Sequence, residues 1–190
     1  MEEVAIRPLT NENIADLERL FGSEKSASTC WCMWFLIRVK DYHAGGAAAN
    51  EAKFRALAAK AKEPLGLIAY HNGQPVGWAA VGPRSRYARA VKTPTLKDID
   101  QSENDAVWLV PCFFIHPDMR GQGIAGALLT GAVALARDHG AVAIEGFPTA
   151  KRSGADRQVG TELLFQACGF QAISRPSSNR AVMRLDIAAS

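Results

Sequence analysis

A glycine-rich turn between an apolar segment and a helix pattern constrains the fold of this chain more than any other feature. The turn follows the apolar run Val107–Ile115 and leads into a segment with apolar residues at helical spacing. Small residues let a backbone approach a ligand closely, and the first N–H groups of a helix are unpaired and lie at its positive end. The sequence therefore predicts a strand, a tight turn and a helix whose N-terminus forms a cradle for a pyrophosphate. The turn consists of Arg120, Gly121, Gln122, Gly123, Ile124, Ala125, Gly126 and Ala127.

Length and composition predict one globular domain over residues 1–190. Of the 190 residues, 48% are hydrophobic and 22% are charged, which is typical of a chain with a substantial core. The net charge of +3 is too small to indicate a nucleic-acid partner. The apolar stretches are too short for a membrane span, and the first residues lack the pattern of a signal peptide, so we expect a cytoplasmic protein.

Four cysteines raise the question of a metal site. Cys30 and Cys32 are separated only by Trp31, whereas zinc sites use pairs two to four residues apart with a second pair elsewhere. The aromatic neighbours of this Cys-Trp-Cys run favour buried packing. We therefore predict reduced thiols and no metal.

The order of sequence patterns predicts an α/β fold with a mixed, mainly antiparallel sheet flanked by helices. Asn72-Gly73 is a hairpin signal between two of the predicted strands. Pro111 conflicts with a central position for Val107–Ile115, because proline cannot donate to a strand ladder; this segment is either an edge strand or carries a bulge. The predicted strands are 4–7, 66–70, 76–81, 107–115, 141–145, 170–174 and 181–185, and the predicted helices lie within 10–62, 124–139 and 161–168.

Several short motifs resemble the GNAT family of N-acetyltransferases over nearly the whole chain. Arg120-x-x-Gly123-x-Ala125 resembles the acyl-CoA-binding motif of that family. The glycines also fit Gly-x-Gly-x-x-Gly, but the acidic residue of a dinucleotide site is missing at the expected distance, and no Gly-Lys-Ser/Thr of a Walker loop follows. A plain turn into a helix is the alternative interpretation. The further matches are Ile115-x-Pro117, Leu164-Phe165-x-x-Cys168-Gly169-Phe170 and Ile6-Arg7-Pro8-Leu9-Thr10.

The resemblance implies a GNAT-like sheet with splayed central strands and acetyl-CoA as the acyl donor. Backbone groups of Phe113, Phe114 and Ile115 would bind the pantetheine arm. The amides of 121–127 would hold the pyrophosphate with Arg120 nearby, and a primary amine of a small molecule or protein would attack the thioester directly. A homodimer is possible, and a catalytically silent acyl-CoA-binding sensor is the alternative function.

The proton donor is where the chain departs from the family. Phe165 stands where many members use a tyrosine, and Gln158 aligns with their usual asparagine. Tyr87, in the long segment 83–106, is our candidate for protonating the thiolate, although an anchoring aromatic is the alternative interpretation. Cys168 is near the same helix but is more typical of a small buried residue.

Glu145 is our first candidate for the general base, because it ends the strand that would border the cofactor cleft. A hydrogen-bonded structural carboxylate is the alternative interpretation. Glu103 and Asp105, which precede Val107–Ile115, are further candidates on an acidic loop.

Two regions are candidates for substrate recognition. An aromatic acceptor wall, or alternatively core packing, is predicted for Trp31, Trp34 and Phe35. The basic start of segment 83–106 leaves a succinyl donor open as a third hypothesis, through Arg84, Arg86 and Arg89.

Overall fold

The computed structural model describes residues 4–96, 99–151 and 158–187, and within them the predicted α/β order is confirmed. No helix in these ranges is long and apolar enough to cross a bilayer. The strands are β1 (Ala5–Pro8), β2 (Gly66–His71), β3 (Gln74–Pro83), β4 (Val107–Ile115), β5 (Ala143–Gly146), β6 (Gln171–Ser177) and β7 (Arg180–Asp186). The α-helices are α1 (Ile14–Gly22), α2 (Lys25–Cys30), α3 (Val39–His43), α4 (Gly46–Ala58), α5 (Ile124–Asp138) and α6 (Glu162–Ala167).

The strands form one sheet in the order β1-β2-β3-β4-β5-β7-β6. Only β4 and β5 pair in parallel, so the sheet is mixed and mainly antiparallel, as predicted. One face packs on α5 and α6, and the opposite face packs on α1, α2 and α4. The described parts of segment 83–106 cover the rest of that second face through an apolar cluster that includes Tyr87, Leu109, Phe147 and Val182.

Local signals set several boundaries. Asn72 and Gly73 both have positive φ, 51° and 74°, which is the conformation of a tight hairpin turn with the right twist for β2 and β3. Helix α1 begins at Ile14, later than a cap at Thr10 or Asn11 would give, because Asn13 accepts the Thr10 N–H at 2.7 Å and holds a turn before the helix.

A bulge resolves the conflict at Pro111. Ala80 pairs with Cys112 and Gly82 pairs with Leu109, so three steps along β4 match two steps along β3. The extra residue lies next to Pro111, where a missing N–H donor is tolerated. Strand β4 is therefore central and bulged rather than an edge strand.

The bulge also reverses which side chains of β4 face which layer. Val110 and Phe113, three residues apart, both pack in the cluster with α5, whereas Cys112 and Phe114 pack in the cluster with α1 and α2. An unbroken strand would alternate strictly, so its register would place Cys112 with Val110. The bulge thus brings the Cys112 thiol to the face opposite α5.

Candidate functional site

Strand β4 has an open edge where it parts from β5. The two strands pair from Val107 and Ala143 up to Leu109 and Glu145, and β4 then continues to Ile115 with no described strand paired on that side. The predicted splay of the central strands is therefore confirmed, and it begins just before the bulge.

The alternation of the ladder shows which backbone groups face this gap. His116 donates its N–H to the Val76 carbonyl at 2.9 Å, so in an antiparallel pair the N–H and C=O of Phe113 and Ile115 point away from β3. The N–H groups of both residues make no hydrogen bond to another described residue. Phe114 is directed towards β3 instead. The open edge therefore offers backbone groups to an extended ligand.

The glycine turn lies at the N-terminus of α5. Gly121 and Gly123 each have a φ of 80°, and a Cβ on either would meet no atom within 4 Å, so the backbone conformation rather than a close contact requires glycine. The Gly126 and Ala127 N–H groups donate to the Gly123 carbonyl. No described residue accepts from the five N–H groups of 121–125, which leaves a row of donors at the positive end of a 15-residue helix.

Arg120 links this turn to the start of α2. Its Nε donates to the Ile115 carbonyl at 3.2 Å, and its terminal nitrogen pairs with the carboxylate of Glu24. The side chain remains 43% exposed. Arg120 thus lies beside the open edge and is directed towards α2 rather than across the free amides.

A thiol pocket, lined by Phe21, Ala27, Cys30, Cys32, Cys112, Phe114 and Gln158, lies on the face of β4 opposite α5. Its volume is about 10 Å³. The Cys112 thiol is 3.8 Å from Gln158 Oε1, and Trp78 donates its Nε1–H to Cys32 Sγ at 3.2 Å. Contact with the Cys32 thiol and burial hold the pKa of Cys112 well above its usual range, so this thiol stays protonated.

No motif in the sequence indicates this pocket, because Cys112 reaches the thiols of Cys30 and Cys32 only through the reversed alternation of β4. All four cysteines are free thiols. Within the described ranges, no group of three or more His, Cys, Asp or Glu side chains is placed to hold a metal ion.

The backbone beside the thiol pocket is strained. Trp31 and Cys32 are consecutive non-glycine residues with φ of 47° and 54°, a left-handed conformation that costs on the order of 1–3 kcal/mol each. Packing compensates: the ring of Trp31 contacts Phe21 edge-on at 5.3 Å, and the Arg55 guanidinium lies 5.6 Å from its centroid. Trp31 is therefore a core residue that fixes the turn carrying Cys32.

The other two aromatics of the predicted acceptor wall lie in different places. Phe35 packs against Phe147 with ring centroids 5.6 Å apart, next to the end of β5. Trp34 is 36% exposed, and the guanidinium of Arg89 lies 3.7 Å from its ring centroid. Only Trp34 of the three is available to a large ligand.

Tyr87 is buried, and its hydroxyl has no hydrogen-bond partner among the residues that the structure describes. Burial raises the pKa of Tyr87; the Arg86 guanidinium opposes this rise, and the thiols of Cys32 and Cys112 add to it. Arg86 lies close but directs its terminal N–H groups to other acceptors, in Glu63, Pro64 and Val81. The phenol thus lies on the same side of β4 as the thiol pocket, protonated and unpaired.

Glu145 is fully buried and paired with two arginines. One carboxylate oxygen accepts from Arg84 at 2.8 Å, and the other accepts from Arg184 at 3.2 Å. A base needs a free oxygen within reach of the amine, and both oxygens here are held by cations. This geometry favours the structural interpretation of Glu145 over the role of base.

The alternative carboxylates are also placed away from the open edge. Glu103 accepts two hydrogen bonds from Arg184, at 2.9 and 3.3 Å, and this guanidinium lowers the pKa of Glu103. Asp105 is exposed just before β4 begins.

Phe165, the residue expected at the position of the family's tyrosine, has an apolar ring that cannot donate a proton. Its ring is fully buried between Phe113 and Phe170, with centroids at 6.1 and 5.0 Å. A Cβ on Gly146 would lie 2.3 Å from this ring, so the glycine at the end of β5 is required by the close approach. The polar sequence 151–158 predicts a loop, of which residues 152–157 lie outside the described residues. Gln158, at its end, borders the thiol pocket.

Comparisons with known proteins agree with this geometry. An N-acetyltransferase from Staphylococcus aureus Mu50 shares the fold with a TM-score of 0.58 and 16% identity, over 97% of this chain and 98% of that chain. The ribosomal-protein-S18-alanine N-acetyltransferase of Escherichia coli has a TM-score of 0.55 and 13% identity, over 99% and 96%. A GNAT family acetyltransferase from Brucella melitensis, in complex with acetyl-CoA, has a TM-score of 0.51 and 16% identity, over 100% and 91%.

Sequence comparison gives the family directly. No curated protein matches this chain in sequence. The sequence profile of the acetyltransferase (GNAT) family does match, over residues 31–170, which include the splayed strands, the glycine turn and Phe165. The chain belongs to the GNAT family of acetyltransferases.

Proposed function

We propose that this protein transfers an acetyl group from acetyl-CoA to a primary amine of a small molecule or protein, by direct attack on the thioester. The observation that carries the proposal is that two sets of backbone groups without partners among the described residues follow each other along the chain. The amides of 121–125 suit a pyrophosphate, and the open edge of β4 at Phe113 and Ile115 suits the amide-bearing pantetheine arm. The acetyl-CoA complex of the Brucella melitensis relative supports the choice of ligand.

The side chains favour an acetyl donor over a succinyl donor. A succinyl carboxylate would need a free cation, but Arg84 is paired with Glu145, Arg86 donates to backbone carbonyls, and Arg89 stacks on Trp34. The thiol pocket, at about 10 Å³, has room for about one water molecule. The basic start of segment 83–106 therefore gives no support to the succinyl hypothesis.

Tyr87 is the proton donor that we propose for the leaving thiolate. In the reaction, the neutral amine forms the C–N bond to the carbonyl carbon, the C–S bond breaks, and the electron pair stays on the CoA sulfur. The Tyr87 hydroxyl, protonated and without a partner, supplies the proton to that sulfur. The amine gives up its own proton to water, since among the described residues the thiol pocket presents thiols and an amide but no carboxylate. Water then returns a proton to the Tyr87 phenolate, which closes the proton balance of one turnover.

A catalytically silent acyl-CoA sensor is the second candidate. Two observations favour it: the buried Phe165 cannot donate a proton, and both oxygens of the Glu145 carboxylate are paired with arginines. A sensor would bind acetyl-CoA without releasing CoA thiol in the presence of any amine.

Calorimetric binding of acetyl-CoA tests the donor site, with Gly123→Glu as the disrupting variant. Its carboxylate would repel the pyrophosphate, and we expect at least about tenfold weaker binding. Gly140→Glu is the matched control, because Gly140 has a φ of 75° and open space like Gly123 but lies at the opposite end of α5. Equal loss in both variants, or no binding by the folded protein, would refute the donor site.

Thiol release with a panel of primary amines separates the two candidate functions. Steady release that depends on the amine supports the transferase. Tight binding of acetyl-CoA with no release across the panel would identify the sensor.

A further inference from the structure

A second pocket lies on the same face of the sheet as Glu145 and has a volume of about 150 Å³. Its lining includes Arg84 and Glu145, whose side chains are fully buried. Glu103 and Arg184, which form an ion pair, also line it. We call it the charged pocket. In an engineered lysozyme, a cavity of this size holds benzene, so a ligand of about six to eight non-hydrogen atoms fits.

An apolar layer separates the charged pocket from the open edge of β4. Phe147 lies two residues after Glu145, and Val182 lies two residues before Arg184, so both side chains are on the same face of the sheet as that pair. Both are buried in one apolar cluster with Tyr87. The charged pocket is therefore a site of its own rather than an extension of the acyl site.

Two polar groups of the charged pocket have unused capacity. Arg84 donates from both terminal nitrogens, to Glu145 and to the Asp100 carbonyl, but its buried Nε has no partner in the described parts of the chain. One Asp100 carboxylate oxygen accepts from Ser102, and the other accepts no hydrogen bond from a described residue. An unsatisfied buried donor is costly unless an acceptor reaches it, and a ligand oxygen in the pocket would supply one.

The signs of the charges select the class of ligand. Among the described residues, the walls carry two guanidiniums, from Arg84 and Arg184, and three carboxylates, from Asp100, Glu103 and Glu145. A simple anion or cation would meet groups of its own sign, whereas a molecule with both charges finds a partner for each. Ile99 and Ile173 at the pocket add apolar contact for a short side chain.

We propose that the charged pocket binds a small zwitterion, an amino acid with a short side chain, as a second ligand site. Its carboxylate accepts from Arg84 Nε, and its ammonium group donates to the Asp100 carboxylate. The Tyr87 N–H donates to the Arg84 carbonyl at 2.9 Å. A ligand bound to Arg84 therefore contacts the turn that carries Tyr87.

Calorimetry of the full chain without acetyl-CoA tests the proposal. The probes are L-alanine and its two isosteres with one charge replaced by a methyl group, isobutyrate and isopropylamine. We expect L-alanine to bind at least about tenfold more tightly than either isostere, because each isostere leaves one charged partner unused. Equal affinity for an isostere, or no binding of L-alanine at millimolar concentration, would overturn the proposal and leave the acetyl-transfer proposal untouched.

Two serines on the exposed strand β6 provide matched variants. Ser174 borders the charged pocket and Ser177 does not, so Ser174→Tyr should abolish L-alanine binding while Ser177→Tyr retains it. Acetyl-CoA binding should be the same in both variants. Formation of N-acetylalanine that Ser174→Tyr prevents would instead make this pocket the acceptor site and overturn its separation from the acyl site.

Discussion

The unpaired hydroxyl of Tyr87 leads to a prediction in which stability and activity move in opposite directions. Burying a hydroxyl without a hydrogen bond costs roughly 1–3 kcal/mol in protein substitutions. The Tyr87→Phe variant removes that hydroxyl and keeps the ring in its cluster with Leu109 and Phe147. We expect the free energy of unfolding to rise by about 1 kcal/mol, which in a chain of this size raises Tm by about 2–4 °C.

The same variant should lose activity. General acid catalysis contributes about 10²- to 10⁴-fold, so we expect kcat to fall by about 10²-fold or more while acetyl-CoA still binds. Tyr70→Phe is the matched control, because the Tyr70 hydroxyl donates to Asp16 at 2.7 Å. Loss of that bond should lower stability by about 1 kcal/mol and leave kcat unchanged.

Denaturant unfolding and steady-state thiol release together measure both effects. A Tyr87→Phe protein that is less stable than the parent would show that the hydroxyl has a bonding partner. A more stable variant with an unchanged kcat would remove Tyr87 from the mechanism.

Three further predictions concern buried side chains of the sheet and their partners. Glu145→Gln removes the buried counter-charge of Arg84, whereas Arg184 keeps Glu103 and Asp186, so stability should fall by about 3 kcal/mol. A variant that kept its stability and acetyl-CoA binding but lost amine-dependent thiol release would make Glu145 the base after all. Gly146→Ala drives a methyl group into the buried ring of Phe165 and should cost about 1–3 kcal/mol in thermal unfolding; the double variant with Phe165→Leu should cost less than the sum of the two single changes, and additivity would argue against the contact. Burial raises the pKa of Tyr70 from 10.0 to about 12, so its neutral form stabilises the fold below pH 10, and this contribution is lost as the pH rises through 12. The free energy of unfolding should therefore fall less steeply with pH between 10 and 12 in Tyr70→Phe than in the parent. An unchanged slope would contradict the shift.

Local chemistry made part of this protein predictable from its residues alone. Strand β4 begins and ends where the apolar run does, and α5 begins at Ile124, directly after Gly123. Gly121 and Gly123 adopt the positive φ that only glycine reaches without strain, so the free amides of the turn follow from residue identity. These signals act over a few residues, and they were sufficient to indicate the fold class and the family.

Long-range contacts decided the rest. The partners of Glu145 are 61 and 39 residues away in the chain, so its charge pairing could not be read from the neighbours of the strand end. The sequence left an edge strand and a bulge as alternatives at Pro111, and the register with β3 shows the bulge. That register in turn places Cys112 on the face opposite α5. The sequence placed Tyr87 only on a loop, and the tertiary structure shows that its hydroxyl is buried without a partner among the described residues. Pairing, register and desolvation depend on which distant segments meet, and only the tertiary structure determines that.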